Sequence, residues 1–118
     1  MKKKRKKIGG AGNIRSRNST MKTSKRLYVL VNRKLNPVYG CVQGGHALAQ
    51  WMLDNPTQTW NNEFLIYLYA DVDRWASRLS QMGVPFSAFK EPDLNNSITA
   101  LACRDDTGEL FKNLQTVK

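Results

Sequence analysis

The sequence predicts a single α/β domain of order β-α-β-α-β-β-α, with a four-stranded, mostly parallel mixed sheet flanked by helices. Its length of 118 residues allows one domain and hardly a second. Short apolar runs alternate with segments of helical spacing, which is typical of strands and helices that form a covered sheet. Residues 1–26 hold 11 of the 19 basic residues and none of the 9 acidic ones. We therefore expect a disordered basic N-terminal arm over residues 1–26 and a near-neutral domain over residues 27–118.

The first half of the domain predicts a strand, a helix and a strand. Residues 27–31 form a β-branched and aromatic run that is typical of a buried strand. Residues 38–53 have helical spacing, and Pro56 follows their end, because proline disfavours helix at the preceding residue. Four residues of this helix share one stripe and are the expected packing face: Val42, His46, Ala49 and Leu53. Residues 64–69 predict a second strand that is apolar on both faces, as in a covered sheet.

The second half predicts a helix, two strands and a last helix. The first helix is expected to begin after Asp71 and to end before Gly83, because aspartate caps helix N-termini and glycine ends helices. A polar loop at residues 91–96 separates the two strands. The predicted elements are a helix at 72–82, strands at 84–89 and 98–103, and an amphipathic helix at about 107–114.

Composition excludes several classes of protein. No apolar run approaches the roughly 18 residues that a membrane-spanning helix needs, and no apolar segment of a signal peptide follows the basic N-terminus. Two cysteines, Cys41 and Cys103, and one histidine cannot supply a four-ligand zinc site of the usual kind. We expect no metal, no cofactor, free thiols and a reducing, cytoplasmic setting. The basic run Lys2–Lys7 fits a nucleic-acid-binding arm, a nuclear-localisation-like patch or a solvated tail, and Met21 is a plausible start of its own.

Two segments carry the residues that are candidates for catalysis or binding. Residues 39–47 place adjacent glycines inside a predicted helix, which costs about 1 kcal/mol each and is usually offset by close approach of a backbone or a ligand. Residues 90–99 join two predicted strands and concentrate carboxylates, amides and hydroxyls. Ser97 and Thr99 are expected on one face of a strand, because they are two residues apart. Since ligands bind at the carboxyl edge of parallel strands, the loops there would bring together Arg33, Lys34, Gln43, Glu91 and Asp93.

Each of these patterns also has a purely structural interpretation. His46 fits a packed or helix-surface histidine, and Gln43 fits a polar residue satisfied by a neighbouring loop. Residues 91–96 fit an ordinary acidic turn, for which proline and asparagine suffice. Spacing alone does not separate these alternatives from a functional site.

The motifs resemble those of peptidyl-tRNA hydrolases of the archaeal and eukaryotic type, in the divergent, domain-containing branch. The resemblance covers residues 26–103 and rests on a first strand of type YVLVNRKL, a helix with Gln43-x-x-His46, and a strand starting Ser97-x-Thr99. It implies a single α/β domain, commonly dimeric, that hydrolyses the ester between a peptide and the 3′ end of tRNA without a metal. It also implies that Gln43, His46 and Thr99 fall on site residues, with Ser97 also matching.

Two features depart from the family pattern. Tyr39 stands where the family has a functional lysine, and the loop before the last strand is shorter, so Glu91 or Asp93 only approximates the family's aspartate. Lys34 or Lys90 could supply the missing charge from a loop. Ester hydrolysis needs an oriented water and stabilisation of the developing oxyanion. Loss of one stabilising group typically costs about 10²–10³ in rate.

Three functions follow from these observations. The first is a peptidyl-tRNA hydrolase-like esterase with tRNA as its partner, a possible homodimer, whose arm makes salt-sensitive phosphate contacts. Its expected catalytic residues are His46, Glu91, Asp93 and Thr99, and its expected substrate-binding residues are Arg33, Lys34, Tyr39, Gln43, Lys90 and Ser97. The second is a catalytically weak or inactive tRNA- or ribosome-associated binding module of the same fold. The third is a protein-interaction domain with Trp51 and Trp60 on an exposed partner surface.

Overall fold

The computed structural model describes residues 25–117 and has an α/β fold. Its elements are β1 (Arg26–Asn32), α1 (Pro37–Asp54), β2 (Phe64–Ala70), α2 (Val72–Met82), β3 (Ser87–Glu91), a 3₁₀ turn (Pro92–Leu94) and β4 (Ser97–Arg104). The prediction of a basic arm lies outside the described residues except at its last two positions. Of these, Arg26 is the first residue of β1 and so belongs to the domain.

The four strands form one mixed sheet in the order β2-β1-β4-β3. β1 pairs with β2 in parallel, whereas β4 runs antiparallel to both β1 and β3. The expectation of a mostly parallel sheet is therefore wrong, because two of the three strand pairs are antiparallel. A parallel connection needs a dozen or more residues, and only residues 92–96 separate β3 from β4. β4 turns back directly and is inserted between β1 and β3.

The helix predicted at 107–114 is absent, and turns occupy this segment. The Asp105 carboxylate accepts hydrogen bonds from the Thr107 hydroxyl at 2.7 Å and from the Leu110 backbone N–H at 2.9 Å. Such local bonds from an aspartate compete with a helical backbone. The apolar spacing that indicated a helix instead places Phe111 in the core, with its ring 5.1 Å from the ring of Tyr28.

Both faces of the sheet are covered, so β1 contributes to two cores. α1 packs on one face, and α2 packs on the other with the C-terminal turns. Trp51 and Trp60 are buried in the core beneath α1, where their rings meet edge to face at 6.4 Å. The predicted exposed tryptophan surface is therefore wrong, and the protein-interaction hypothesis loses the feature that suggested it. No helix among residues 25–117 is long and apolar enough to cross a membrane.

α1 packs on the sheet through a face that its pattern of apolar residues does not predict. The predicted stripe points outward: Val42 is 54% exposed and Leu53 is 75% exposed, and His46 is exposed as well. The buried residues of the helix are Gly40, Gln43, Gly44, Ala47 and Trp51. Small residues allow the helix to lie close to the sheet, and this closeness brings Gln43 into the core.

Gly44→Ala and Gly45→Ala are expected to change stability in opposite directions. Alanine is favoured over glycine in a helix by about 1 kcal/mol, and a Cβ at Gly45 would meet nothing within 4 Å. A Cβ at Gly44 would lie 2.6 Å from the Tyr67 ring and 3.0 Å from Val29 Cγ1. Overpacking of this kind costs about 1–3 kcal/mol and outweighs the helical gain. Urea unfolding measures both variants, and equal stabilisation of the two would contradict this close approach.

Candidate active site

The candidate site lies where α1, β3 and β4 meet at one edge of the sheet. β1 and β3 run in the same direction, since β4 is antiparallel to both. The end of β3, the start of β4 and the N-terminal half of α1 therefore lie at the carboxyl edge of the sheet. Two of the three buried polar side chains of the described domain are found here, Gln43 and Thr99, each 1% exposed. Buried polar groups of this kind need partners.

A chain of hydrogen bonds joins β4 to α1 and α1 to β3. The Thr99 hydroxyl donates to Gln43 Oε1 at 2.6 Å, and Gln43 Nε2 donates to Glu91 Oε1 at 3.0 Å. The Tyr39 hydroxyl reaches the same oxygen of Glu91 at 3.5 Å, the limit of a hydrogen bond. These four side chains, Tyr39, Gln43, Glu91 and Thr99, are called the Gln43 network below. Both ends of the Gln43 amide are satisfied, which fixes its orientation and that of the carboxylate.

The network holds the Glu91 carboxylate at the mouth of the site. Its Oε1 faces Gln43 and Tyr39, and its Oε2 accepts a long hydrogen bond, 3.4 Å, from the Asp93 backbone N–H at the start of the 3₁₀ turn. Loss of solvation and then the negative charge of Glu91 raise the pKa of the Tyr39 hydroxyl above its ordinary value of 10.0. The phenol is thus a neutral hydrogen-bond donor at physiological pH, next to a carboxylate.

A β-bulge directs Thr99 into the network. β3 advances by one residue between Phe89 and Lys90, while β4 advances by two between Ala100 and Ile98. The extra residue of β4 is Thr99, which faces α1 and bonds to its glutamine. Bulges re-aim side chains in this way and are common next to active sites. The alternation of a regular strand does not predict this arrangement.

Six of the ten predicted site residues lie outside the Gln43 network. His46 stacks on Phe89, with ring centroids 4.5 Å apart and planes at 16°, and makes no hydrogen bond to the network among the described residues. The Ser97 hydroxyl donates to the Leu94 carbonyl at 2.6 Å, so it closes the turn before β4. Asp93 is exposed and joins the network only through its backbone. The remaining three are Arg33, Lys34 and Lys90.

The predicted cations do not take the place of the family lysine. Lys90 lines a hollow beside α2, on the opposite face of the sheet, because side chains alternate along β3 and its neighbour Glu91 faces α1. Arg33 lines a separate hollow near the start of α2, and Lys34 is exposed in the loop before α1. Within residues 25–117, no cationic side chain forms an ion pair or hydrogen bond with Glu91. Arg33 and Lys90 thus line hollows away from Glu91, and none of the three predicted cations contacts this carboxylate.

The described residues offer little to bind a metal or to act as a nucleophile. No group of three or more His, Cys, Asp or Glu residues in this part of the chain lies close enough to hold a metal ion. Both cysteines are free, Cys41 on the surface and Cys103 in the core. Burial raises the pKa of the Cys103 thiol to about 12, which makes it a packing residue rather than a reactive one.

No protein-family model matches the chain, and no curated protein matches it significantly. The resemblance to peptidyl-tRNA hydrolases therefore stays a prediction, based on the short motifs of the sequence. The geometry above adds independent information, because it shows which residues of those motifs make contact.

Sequence analysis missed one group of residues in the described domain. Arg74, Trp75 and Arg78 of α2 line the same hollow as Arg33. The signal was available in the sequence, because arginines four residues apart share one side of a helix. This pattern also fits an ordinary solvent-exposed helix face, so it does not by itself indicate a site.

Proposed function

We propose that this protein is a peptidyl-tRNA hydrolase-like esterase, which cleaves the ester between a peptide and the 3′ end of tRNA. The observation that carries the proposal is the Thr99–Gln43–Glu91 hydrogen-bond chain. It joins Gln43 and Thr99, which come from two of the motifs that suggested the family and lie on separate elements, and it connects them to Glu91 of β3. It also gives a single carboxylate a fixed orientation at the carboxyl edge of the sheet, where α/β sheets usually bind ligands.

The proposed reaction is a direct attack of water on the ester carbonyl carbon. Glu91 accepts a proton from the water as the new C–O bond forms. The bond to the ribose oxygen then breaks, and Glu91 returns the proton to that oxygen. Tyr39 donates a hydrogen bond to the developing oxyanion, since its own bond to the carboxylate is long and easily exchanged. Gln43 and Thr99 act as positioning residues, because Gln43 bonds to Glu91 and Thr99 bonds to Gln43.

A second candidate function is a tRNA-binding module of the same fold without effective catalysis. The observation that favours it is the uncharged Tyr39 at the position of the family lysine, together with the lack of a cationic partner for Glu91 among the described residues. A neutral phenol stabilises an oxyanion less than an ammonium group does. In this case the Gln43 network would hold the fold together and leave only binding.

Release of labelled peptide from N-acetyl-aminoacyl-tRNA separates the two candidates. The esterase predicts turnover that is proportional to enzyme concentration, with free tRNA and free N-acetyl amino acid as products. The binding module predicts no turnover at micromolar protein while a gel-shift assay still detects bound tRNA. Absence of both turnover and binding would contradict both functions.

Removal of residues 1–24 is expected to raise KM about tenfold at low salt and to leave kcat unchanged. These residues carry nine basic side chains and no acidic one, and phosphate contacts of this kind are largely independent of sequence and sensitive to salt. The deletion stops before Arg26 because that residue begins β1. KM measured from 20 to 300 mM salt should vary less steeply in the shortened protein. An unchanged KM at low salt would exclude this role for the arm.

A further inference from the structure

We propose that Arg33, Arg74 and Arg78 form a binding site for backbone phosphates of the tRNA, separate from the Gln43 network. This proposal rests on the proposed function, because it specifies how the same substrate is held. The three residues are called the arginine cluster below. None of the motifs that suggested the family includes Arg74 or Arg78.

The arginine cluster surrounds a hollow of about 350 Å³ on the α2 side of the sheet. Arg33 follows the last residue of β1, and its backbone N–H donates to the Ala70 carbonyl at the end of β2, at 3.1 Å. This bond holds Arg33 beside the first turns of α2, where Arg74 and Arg78 lie. The other lining residues are Asp71, Trp75, Leu110, Phe111, Asn113 and Leu114. The lining therefore combines three guanidinium groups and one carboxylate with aromatic and aliphatic side chains.

None of the three arginines of the cluster forms an ion pair within the described domain. Arg74 and Arg78 are one helical turn apart, a spacing at which like charges destabilise a helix. The two ion pairs found within residues 25–117 are Arg104–Asp106 and Lys112–Glu109, which involve none of the three arginines. The one carboxylate in the lining, Asp71, caps α2 by accepting from the backbone N–H of Arg74 at 3.3 Å. An anion between the arginines would relieve this repulsion.

Stacking holds one guanidinium ready for an anion. The Arg78 guanidinium carbon lies 4.5 Å from the centre of the Trp75 ring, and that ring packs edge-on against Phe111 at 5.0 Å. When a guanidinium stacks on an aromatic ring, its N–H groups point outward in a plane parallel to the ring. They remain free to bind phosphate oxygens in a bidentate manner. Arginine at such a site is thus better suited to phosphate than a flexible lysine would be.

The position of the cluster suits a substrate that also reaches Glu91. β1 and β2 are parallel and end at the same edge of the sheet as β3. The arginine cluster lies at the ends of β1 and β2, and Glu91 is the last residue of β3. The two sites occupy opposite faces of this edge. A polynucleotide with its 3′ end at Glu91 can cross the edge and place a phosphate of its backbone among the arginines.

The test is binding of deacylated tRNA to the full chain, measured by fluorescence anisotropy over a range of salt concentrations. Arg74→Gln/Arg78→Gln removes two of the charges and is expected to weaken binding about tenfold and to lower the salt slope by about two. Arg33→Gln, on a different element, should have a smaller effect of the same kind. The matched control is Arg104→Gln at the opposite edge of the sheet, where the guanidinium is already paired with Asp106 at 2.8 Å. Its effect should be under twofold.

Three results would overturn the proposal. The first is unchanged tRNA affinity in both arginine variants, and the second is an equal loss in Arg104→Gln. The third is stronger competition by polyglutamate than by tRNA, which would assign the cluster to an acidic protein. Hydrolysis of N-acetyl-aminoacyl-adenosine, which has no backbone phosphates, separates this proposal from the esterase. Equal hydrolysis by wild type and variants supports a role in binding alone. If the wild type hydrolyses neither substrate, the esterase fails, whereas the tRNA-binding result still decides the role of the cluster.

Discussion

Glu91→Gln is expected to reduce kcat for ester hydrolysis by about 10²–10³ while KM changes little. The amide removes the negative charge that would accept a proton from water. Its oxygen can still accept the hydrogen bond that Gln43 Nε2 makes to Glu91 at 3.0 Å, so the Gln43 network and the fold are retained. Single-turnover release of labelled peptide from N-acetyl-aminoacyl-tRNA measures the chemical step directly.

Glu109→Gln is the matched control for this substitution. Glu109 is an exposed carboxylate whose ion pair with Lys112 contributes little, and its loss should leave turnover unchanged. Asp93→Asn tests the other carboxylate that the sequence proposed. If Asp93→Asn removed activity and Glu91→Gln retained it, the proton acceptor would be the exposed Asp93, and the network would serve only to hold the loop.

The strands and the two main helices of the fold could be predicted from the sequence, but their arrangement could not. Apolar runs and helix caps are local signals, and α2 has the predicted bounds of 72–82. Strand direction depends on which strands pair, a long-range property. The short connection at residues 92–96 was the available signal for an antiparallel β4, because it is too short for a parallel crossover.

The packing face of α1 shows why apolar spacing alone was insufficient. Gly40 and Gly44 carry no side chain and hydropathy gives them little weight, yet a Cβ at either would lie 2.6 Å from a side chain of the sheet. The buried face of α1 is therefore the face that can approach the sheet most closely, and not the most hydrophobic one. The same approach buries Gln43, which the sequence alone allowed to be a polar residue satisfied by a neighbouring loop. The adjacent glycines were the correct signal, but only Gly44 of the pair is in close contact.

The motif residues of the candidate site could be predicted from the sequence. The features that depend on the pairing register of β3 and β4 could not. Gln43 and Thr99 came from the family resemblance, and the structure places them in hydrogen-bond contact. Lys90 was a candidate for the missing charge, but it faces α2, because side chains alternate along β3 and its neighbour Glu91 faces α1. The β-bulge acts on β4, where the extra residue turns the Thr99 hydroxyl into the network.

Tyr39→Lys is expected to raise kcat about 100-fold if the protein is a weak esterase. The tyrosine hydroxyl lies 3.5 Å from Glu91 Oε1, so a lysine at this position would place its ammonium group beside the carboxylate and the developing oxyanion. A preorganised charge of this kind contributes about 10²–10³ in rate. Steady-state release of N-acetyl amino acid from its tRNA measures the gain. Tyr39→Phe should lower kcat only modestly, because it removes a neutral donor.

Val42→Lys is the matched control, since it adds the same charge to the exposed outer face of α1, where the side chain is 54% exposed. It should improve tRNA binding slightly at low salt and leave kcat unchanged, because distant surface charges affect association rather than chemistry. A gain in kcat for Tyr39→Lys alone would show that the rest of the Gln43 network is competent for hydrolysis. No gain, with tRNA binding intact, would mean that the Gln43 network only holds the fold together and that the protein is a binding module. The position of one ammonium group thus separates an esterase from a binding module of the same fold.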